Sequence, residues 1–402
     1  MATIAVLGTL DSKGGEHAFL AGLIRARGHH TLLIDVGTGA PPSITPDITR
    51  DQVAAAAGLD LSELLAGRDR GECVLAMSKA APVLLEKLAA DGAIQAVISL
   101  GGGGGTAIAT AAMRALPLGF PKLMVSTLAA GNTAPYLGTK DIVMMPSIAD
   151  VAGLNRLSRL IFSRAAGAIC GMVEAEIETA DARPLVVASM FGNTTACVTE
   201  AKRIIENAGY EVLVFAATGV GGQAMEALIE SSLVAGVLDL TTTELADELV
   251  GGVLSAGPDR MNAAGRVHVP TVVAPGCLDM VNFGERDSIP EKFTGRNFYL
   301  HNPQVTLMRT HPEECAELGR ILAEKVNRYP AEAIIMIPKK AISVISAAGQ
   351  PFHDAAADQA LFDAIRSHAK VPVEEIDEEI NSPVFAKACA DMLLEKMRVA
   401  RT

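Results

Sequence analysis

Short runs of β-branched and aliphatic residues alternate with helix-length stretches along most of this chain, and few folds accommodate such an alternation. TIAVLGT (3–9), TLLIDVG (31–37), AVISLG (96–101), KLMVST (122–127) and DIVMM (141–145) read as strands separated by helical segments. Nearly continuous apolar runs, rather than strict alternation, mark strands buried on both faces of a parallel sheet. The pattern restarts at LVVASMFG (185–192). It continues through EVLVFAATG (211–219), GVLDL (236–240), TVVAPG (271–276), TLMRT (306–310), AIIMIP (333–338) and AISVIS (341–346). The expected class is α/β, with two Rossmann-like, doubly wound parallel-sheet domains. The charged, proline-containing EIETADARPL (176–185) separates them, giving domains over 1–180 and 181–402. The mixed stretch 276–304 reads as a long, ordered, functional loop. No residue-level repeat relates the two halves.

Composition narrows the functional classes. Half of the 402 residues are hydrophobic, which is enough to fill two cores, and there is no Trp. The net charge of −12, without any Lys/Arg block, argues against a nucleic-acid partner. The N-terminus has no basic leader, and no apolar stretch free of glycine and charge is long enough for a membrane span. The six cysteines are scattered with no C-x-x-C pair, as expected of reduced thiols in a cytoplasmic protein.

The residues with chemical potential lie where strands give way to helices. SLGGGGGTAIAT (99–110) places five glycines, Gly101, Gly102, Gly103, Gly104 and Gly105, between a strand and a helix that opens near Thr106. Such a turn lets backbone N–H groups and the positive helix end approach an anion. No Gly-Lys-Ser/Thr closes it, so it is not a lysine-bearing P-loop. The reading favoured is a backbone-only phosphate cradle, against a tight packing turn. GTLDSKGGE (8–16) sets Thr9, Asp11, Ser12 and Lys13 at the end of the first strand. Lys13 would pair with a phosphate and Asp11 would hold Mg²⁺ through water, the plainer alternative for Asp11 and Ser12 being helix capping. Asp35 ends the second strand, where a ribose hydroxyl is commonly met. Ser126, Thr127 and Gly131 follow the fourth.

The second half has three further turns, MFGNTT (190–195), ATGVGGQAME (217–226) and DLTTTE (239–244), open to capping or anion binding. Asp279, His301 and Arg309 form a candidate catalytic set of orienter, acid–base group and anion clamp for a small carboxylate or phosphorylated metabolite. No pair of histidines has helical His-x-x-x-His spacing, so zinc is weakly supported.

The stretches GTLDSKGGEHAFL, SLGGGGGTAIATAAMRALPLGFPKLMVSTLAAGN, VLVFAATGVGGQAMEALI, DLTTTELADELVGGVLSAGPDR, DMVNFG and HNPQVTLMRT span almost the whole chain. Together they resemble the ATP-binding family typified by the N-terminal part of the tomato mosaic virus resistance protein. The resemblance implies two Rossmann-like domains, ATP in the N-terminal one and a homodimer. On matching motifs, it points to the glycine loop, the Asp11–Lys13 turn and the Ser126–Thr127 strand end. The plant protein's further β/α-barrel domain is not expected within these 402 residues, so a metabolic role is expected. The remaining alternatives are an enzyme with its site in the second domain and a regulatory module controlled by nucleotide.

Overall fold

The computed structural model describes residues 1–67, 69–176, 183–231, 233–329 and 333–400. The chain divides into two compact units, Met1–Glu178 and Thr179–Thr402. The middle of the EIETADARPL segment, residues 177–182, lies outside the described residues.

In the first unit the strands are β1 (Thr3–Gly8), β2 (His30–Asp35), β3 (Ala96–Gly101), β4 (Lys122–Ser126) and β5 (Val143–Pro146). The helices are α1 (Leu10–Arg25), α2 (Arg50–Ala56), α3 (Leu61–Ala66), α4 (Arg70–Ala90), α5 (Gly103–Ala115), α6 (Ala134–Leu137) and α7 (Arg156–Glu174). The sheet is parallel, in the order β2-β1-β3-β4-β5. Every residue of the central β3 is buried. One face packs Leu20, Ile24, Phe162 and Ile169 of α1 and α7. The other packs Val53, Met77, Leu85, Ile108 and Met113 of α2, α4 and α5. Winding on both faces is what the apolar strand runs require.

The second unit holds β6 (Leu185–Met190), β7 (Glu211–Ala216), β8 (Val234–Thr241), β9 (Thr271–Gly276), β10 (Met280–Phe283), β11 (Phe298–Asn302), β12 (Val305–Arg309), β13 (Ala333–Pro338) and β14 (Val373–Ile376). Its helices are α8 (Thr195–Asn207), α9 (Val220–Glu230), α10 (Glu244–Val250), α11 (Ala263–Val267), α12 (Pro312–Val326), α13 (Ala355–His368) and α14 (Pro383–Val399). The main sheet is parallel and ordered β14-β13-β9-β8-β6-β7. Counted within each unit, both sheets therefore follow the order 2-1-3-4-5, extended by a sixth strand in the second. In that order the crevice between strands 1 and 3 is where the chain departs in opposite directions, and ligands enter such folds there.

Three details depart from the sequence reading. The stretch read as a long loop carries β10 and β11, which pair with β12 in an antiparallel sheet, β10-β12-β11. AISVIS is a turn instead of a strand, because Ser346 Oγ accepts from the N–H groups of Ile342 and Ser343 at 3.1 Å each. The helix expected from about Gly14 starts at Leu10 and is interrupted at Lys13 (φ −133°, ψ 26°). His17 Nδ1 lies 2.7 Å from the Lys13 carbonyl oxygen. The His17 ring is fully buried, which lowers its pKa, and any side chain at Gly8 would overlap it.

Candidate nucleotide cleft

The β1/β3 crevice of the first unit opens into a cleft of about 820 Å³. Its floor is the start of α5. Gly102 stands at the N-cap of α5 without a side-chain cap, and Gly103, Gly104 and Gly105 form the first turn. The N–H groups of that turn have no intrahelical acceptor. A Cβ at Gly103 would meet nothing within 4 Å, one at Gly104 would meet Val74 at 3.6 Å, and one at Gly102 would meet Thr127 Oγ1 at 3.8 Å. The turn is thus bare on the cleft side and enclosed at its flanks. Helix α1 also begins at the cleft without a side-chain cap at Thr9. By contrast α2, α3, α4 and α7 are capped by Thr49, Asp60, Asp69 and Asn155. Of the two helices flanking the crevice, α5 leaves the N–H groups of its first turn open to a ligand, whereas the Leu10 N–H of α1 is taken by Asp35 Oδ1.

Thr9, Asp11, Ser12, Lys13, Gly102–Gly105 and Thr127 all line this cleft. Asp11 does not cap: its Oδ2 accepts from Gly39 N at 2.8 Å. Its Oδ1 is buried without a hydrogen-bond partner. That is the donor chemistry a hard divalent cation uses. Ser12 Oγ donates within α1, to the Thr9 carbonyl at 3.4 Å. Lys13 Nζ donates to the Val151 carbonyl, so its charge faces a neutral acceptor. Gly101, Thr106 and Ser126 sit behind the floor. Thr106 Oγ1 and Ser126 Oγ lie 2.7 Å apart, and Ser126 Oγ accepts from Leu128 N at 3.0 Å, so both hydroxyls fix the turn from beneath.

Two expected ligand contacts are corrected. Asp35 does not line the cleft. It is fully buried, and its Oδ1 accepts from Leu10 N (3.1 Å) and Gly37 N (2.8 Å). That carboxyl shapes the strand end, and burial raises its pKa. Gly131 lies on an exposed turn, its N–H donating to Leu128 O at 3.0 Å, and is not among the cleft residues.

The structure adds residues that the sequence did not single out. Asp69, Arg70, Cys73 and Val74 of the α4 start, together with Ile148 and Asp150 after β5, line the cleft. Arg70 precedes Val74 by one helical turn, so it lies on the face directed at Gly104. Its guanidinium has no ion-pair or hydrogen-bond partner among the described residues. A cation in the first turn of a helix opposes the macrodipole. That was the available signal: an arginine immediately after the N-cap Asp69.

The candidate catalytic set of the second unit is assembled only in part: Asp279 and Arg309 are brought together at paired ends of β10 and β12, without His301. His301 lies on β11 and is exposed. Arg309 is at the far end of β12, buried, with Nη2 on Asp358 Oδ1 at 2.6 Å and Nε on Phe352 O at 2.8 Å. Asp279 is fully buried and accepts from Ser343 Oγ at 2.7 Å; burial pushes its carboxyl up to about 6 against the pull of Arg309. Arg309 is spent on internal contacts, Asp279 keeps only its Oδ1 unpartnered and buried, and His301 faces solvent.

The turns that follow β6, β7 and β8 are likewise satisfied from within. Glu244 Oε1 accepts from Gly219 N (2.7 Å) and Gly222 N (3.1 Å). Arg260, fully buried, binds Glu244 Oε2 at 2.6 Å and Asp239 through two hydrogen bonds at 2.6 and 2.7 Å. Thr194 and Thr241 join their hydroxyls at 2.7 Å. Among the described residues no group of three or more His, Cys, Asp or Glu is placed to hold a metal ion, and no helix is long and apolar enough to cross a membrane.

Two family models match the chain, the N-terminal domain of an uncharacterised protein family, UPF0261, over residues 2–178 and its C-terminal domain over 183–397. A UPF0261 protein of Clostridium tetani is 47% identical over 98% of this chain and 98% of its own length. One from Rhizobium meliloti is 45% identical over 96% and 97%. The ToMV susceptible protein tm-1 of Solanum lycopersicum is 39% identical over 81% of this chain, which spans 45% of that longer protein. Among solved structures, a UDP-N-acetylglucosamine 2-epimerase from Rickettsia bellii aligns over 99% of this chain and 96% of its own at 10% identity, with a TM-score of only 0.22. Matched end to end by both domain models and by full-length bacterial relatives, the chain belongs to the UPF0261 family.

Proposed function

We propose that this protein binds ATP in the β1/β3 crevice of its first unit. The observation that carries the reading is the uncapped glycine turn Gly102–Gly105, open on its cleft side. Phosphates would take the N–H groups of Gly103–Gly105, and Arg70 rather than Lys13 would supply the nearest uncommitted positive charge. The free Oδ1 of Asp11 fits a Mg²⁺ carried with the nucleotide, completed by phosphate and water oxygens. Such an ion would neutralise phosphate charge. The chain's own part is to hold the phosphates by backbone N–H groups and to fix them with Thr9 and Thr127. The six buried free cysteines suit a reducing, cytoplasmic setting, and the resemblance adds a homodimer and a metabolic role.

Gly103→Val tests the reading. A side chain there enters open space in the cleft, so the fold should survive with an unchanged melting temperature. ATP affinity by calorimetry should fall at least about tenfold, the loss of one or two charge-assisted hydrogen bonds. Unchanged affinity removes the assignment. A phosphate-release assay on the wild-type chain separates turnover from binding alone.

A further inference from the structure

Ile148 stands out from every other cleft residue. Its φ is +64°, in the left-handed region, where a β-branched side chain is an outlier. It is also 77% exposed, at the lip of a cleft whose other apolar lining residues include Leu65, Val74 and Ile108. Met261 and Cys277, which share the positive φ, are buried in the core. His268, the other such residue, follows the last turn of a short helix, where this conformation is common. Neither explanation applies to Ile148.

Its turn is pinned on all sides. Ser147 N donates to Ser126 O at 3.1 Å, Ser147 Oγ to Ala149 O at 2.7 Å, and Gly153 N to Glu16 Oε1 at 2.6 Å. Lys13 Nζ holds the Val151 carbonyl. An unfavourable backbone conformation persists where its surroundings over-determine it, and such sites gather at ligand clamps. Here the pinning turns an aliphatic side chain toward water at the lip of the cleft.

Its position gives the side chain a purpose. Ile148 follows β5, two strands from β3. At the usual strand spacing that is about 10 Å from the glycine turn along the sheet edge. This is comparable to the reach from a nucleotide's outer phosphates to its base. At the opposite end of the edge, after β2, Thr38 and Gly39 also line the cleft, with Gly39 N tied to Asp11 Oδ2. We infer that Ile148 is the platform for the flat, apolar base of the bound nucleotide, so that the ligand lies with its phosphates on β3 and its base toward β5. The inference rests on the nucleotide reading above and adds its direction.

Calorimetry with ATP and with inorganic triphosphate, on the wild type and on Ile148→Gly and Ile148→Ala, tests it. Glycine accepts the left-handed conformation, so Ile148→Gly should melt at or above the wild-type temperature. Both variants should lose about tenfold in ATP affinity, the worth of one partly covered aliphatic side chain, while triphosphate affinity stays within about twofold. If the wild type binds ATP and the variants bind it equally well, the platform is overturned and the nucleotide reading stands. Equal losses for ATP and triphosphate also overturn it, since the turn then acts on the phosphate end. Wild-type binding of triphosphate but not ATP, or of neither, overturns it together with the nucleotide reading.

Discussion

The two units share a strand order and each carries a glycine-containing strand–helix turn, after the third strand in the first and after the second strand in the second, yet they treat it oppositely. In the first, Gly102–Gly105 face an open cleft, and among the described residues no side chain caps them. In the second, Gly219 and Gly222 already bind an anion, and that anion is Glu244. Arg260 in turn neutralises Glu244 and Asp239. The lesson is that a glycine-rich strand–helix turn is a half-site, and its function depends on whether the chain fills it. An internal carboxylate makes it a structural joint; without one, the N–H groups of the turn stay open on the cleft.

The largest effect should come from breaking the filled joint. Arg260→Ala leaves Asp239 and Glu244 buried without their counter-charge, a situation that costs about 3–5 kcal/mol. Urea denaturation should show the second unit losing most of its stability. A loss below about 1 kcal/mol would mean that charge does not close the turn. Next, one substitution made on each turn should give opposite readouts. Gly222→Ala drives a Cβ into the Glu244 carboxylate and should destabilise by about 2 kcal/mol, the usual scale of overpacking. Gly103→Ala meets nothing and should leave the melting temperature level or slightly higher, since alanine favours helix over glycine by about 1 kcal/mol. Equal destabilisation by both would erase the contrast.

A pH slope in the second unit gives a further readout. Burial holds Asp279 at about 6 and Asp247 at about 7 in the folded chain. Both lie above the unfolded carboxyl value, so the folded chain binds more protons, and its stability falls as pH rises from about 4 to about 7. Asp279→Asn keeps an acceptor for Ser343. It should match the wild type near pH 4 and exceed it at pH 8, flattening the slope by an amount on the order of 3 kcal/mol at most. Parallel melting curves for the two proteins across that range would refute the assignment.

The α/β class and both parallel sheets were legible in the sequence because apolar six-residue runs carry their own signal. The gathering of Thr9, Asp11, Lys13, the glycines and Thr127 followed from one rule, that parallel strands end at a common edge. What the sequence hid was which polar groups are consumed internally. Asp35 and Glu244 are both acidic residues near strand ends. Only three dimensions show that one braces a turn from below and the other occupies an anion seat. Lys13 looked like the phosphate's partner because its hold on a carbonyl of residue 151 is invisible along the chain. Ile148 gave no signal at all, since backbone torsion is not written in residue type.

The His17 ring lying against Gly8 has a consequence for inheritance. Gly8 opens GTLDSKGGE and looks like part of a ligand fingerprint, but the imidazole beneath it leaves no room for a side chain. The two positions are therefore bound to each other rather than to a nucleotide. Over long divergence they should drift as a pair, with residue 8 free to grow only in lineages where residue 17 has shrunk. A motif that seems to record one selective pressure thus records two, and its first glycine would persist even in a descendant that had lost its ligand.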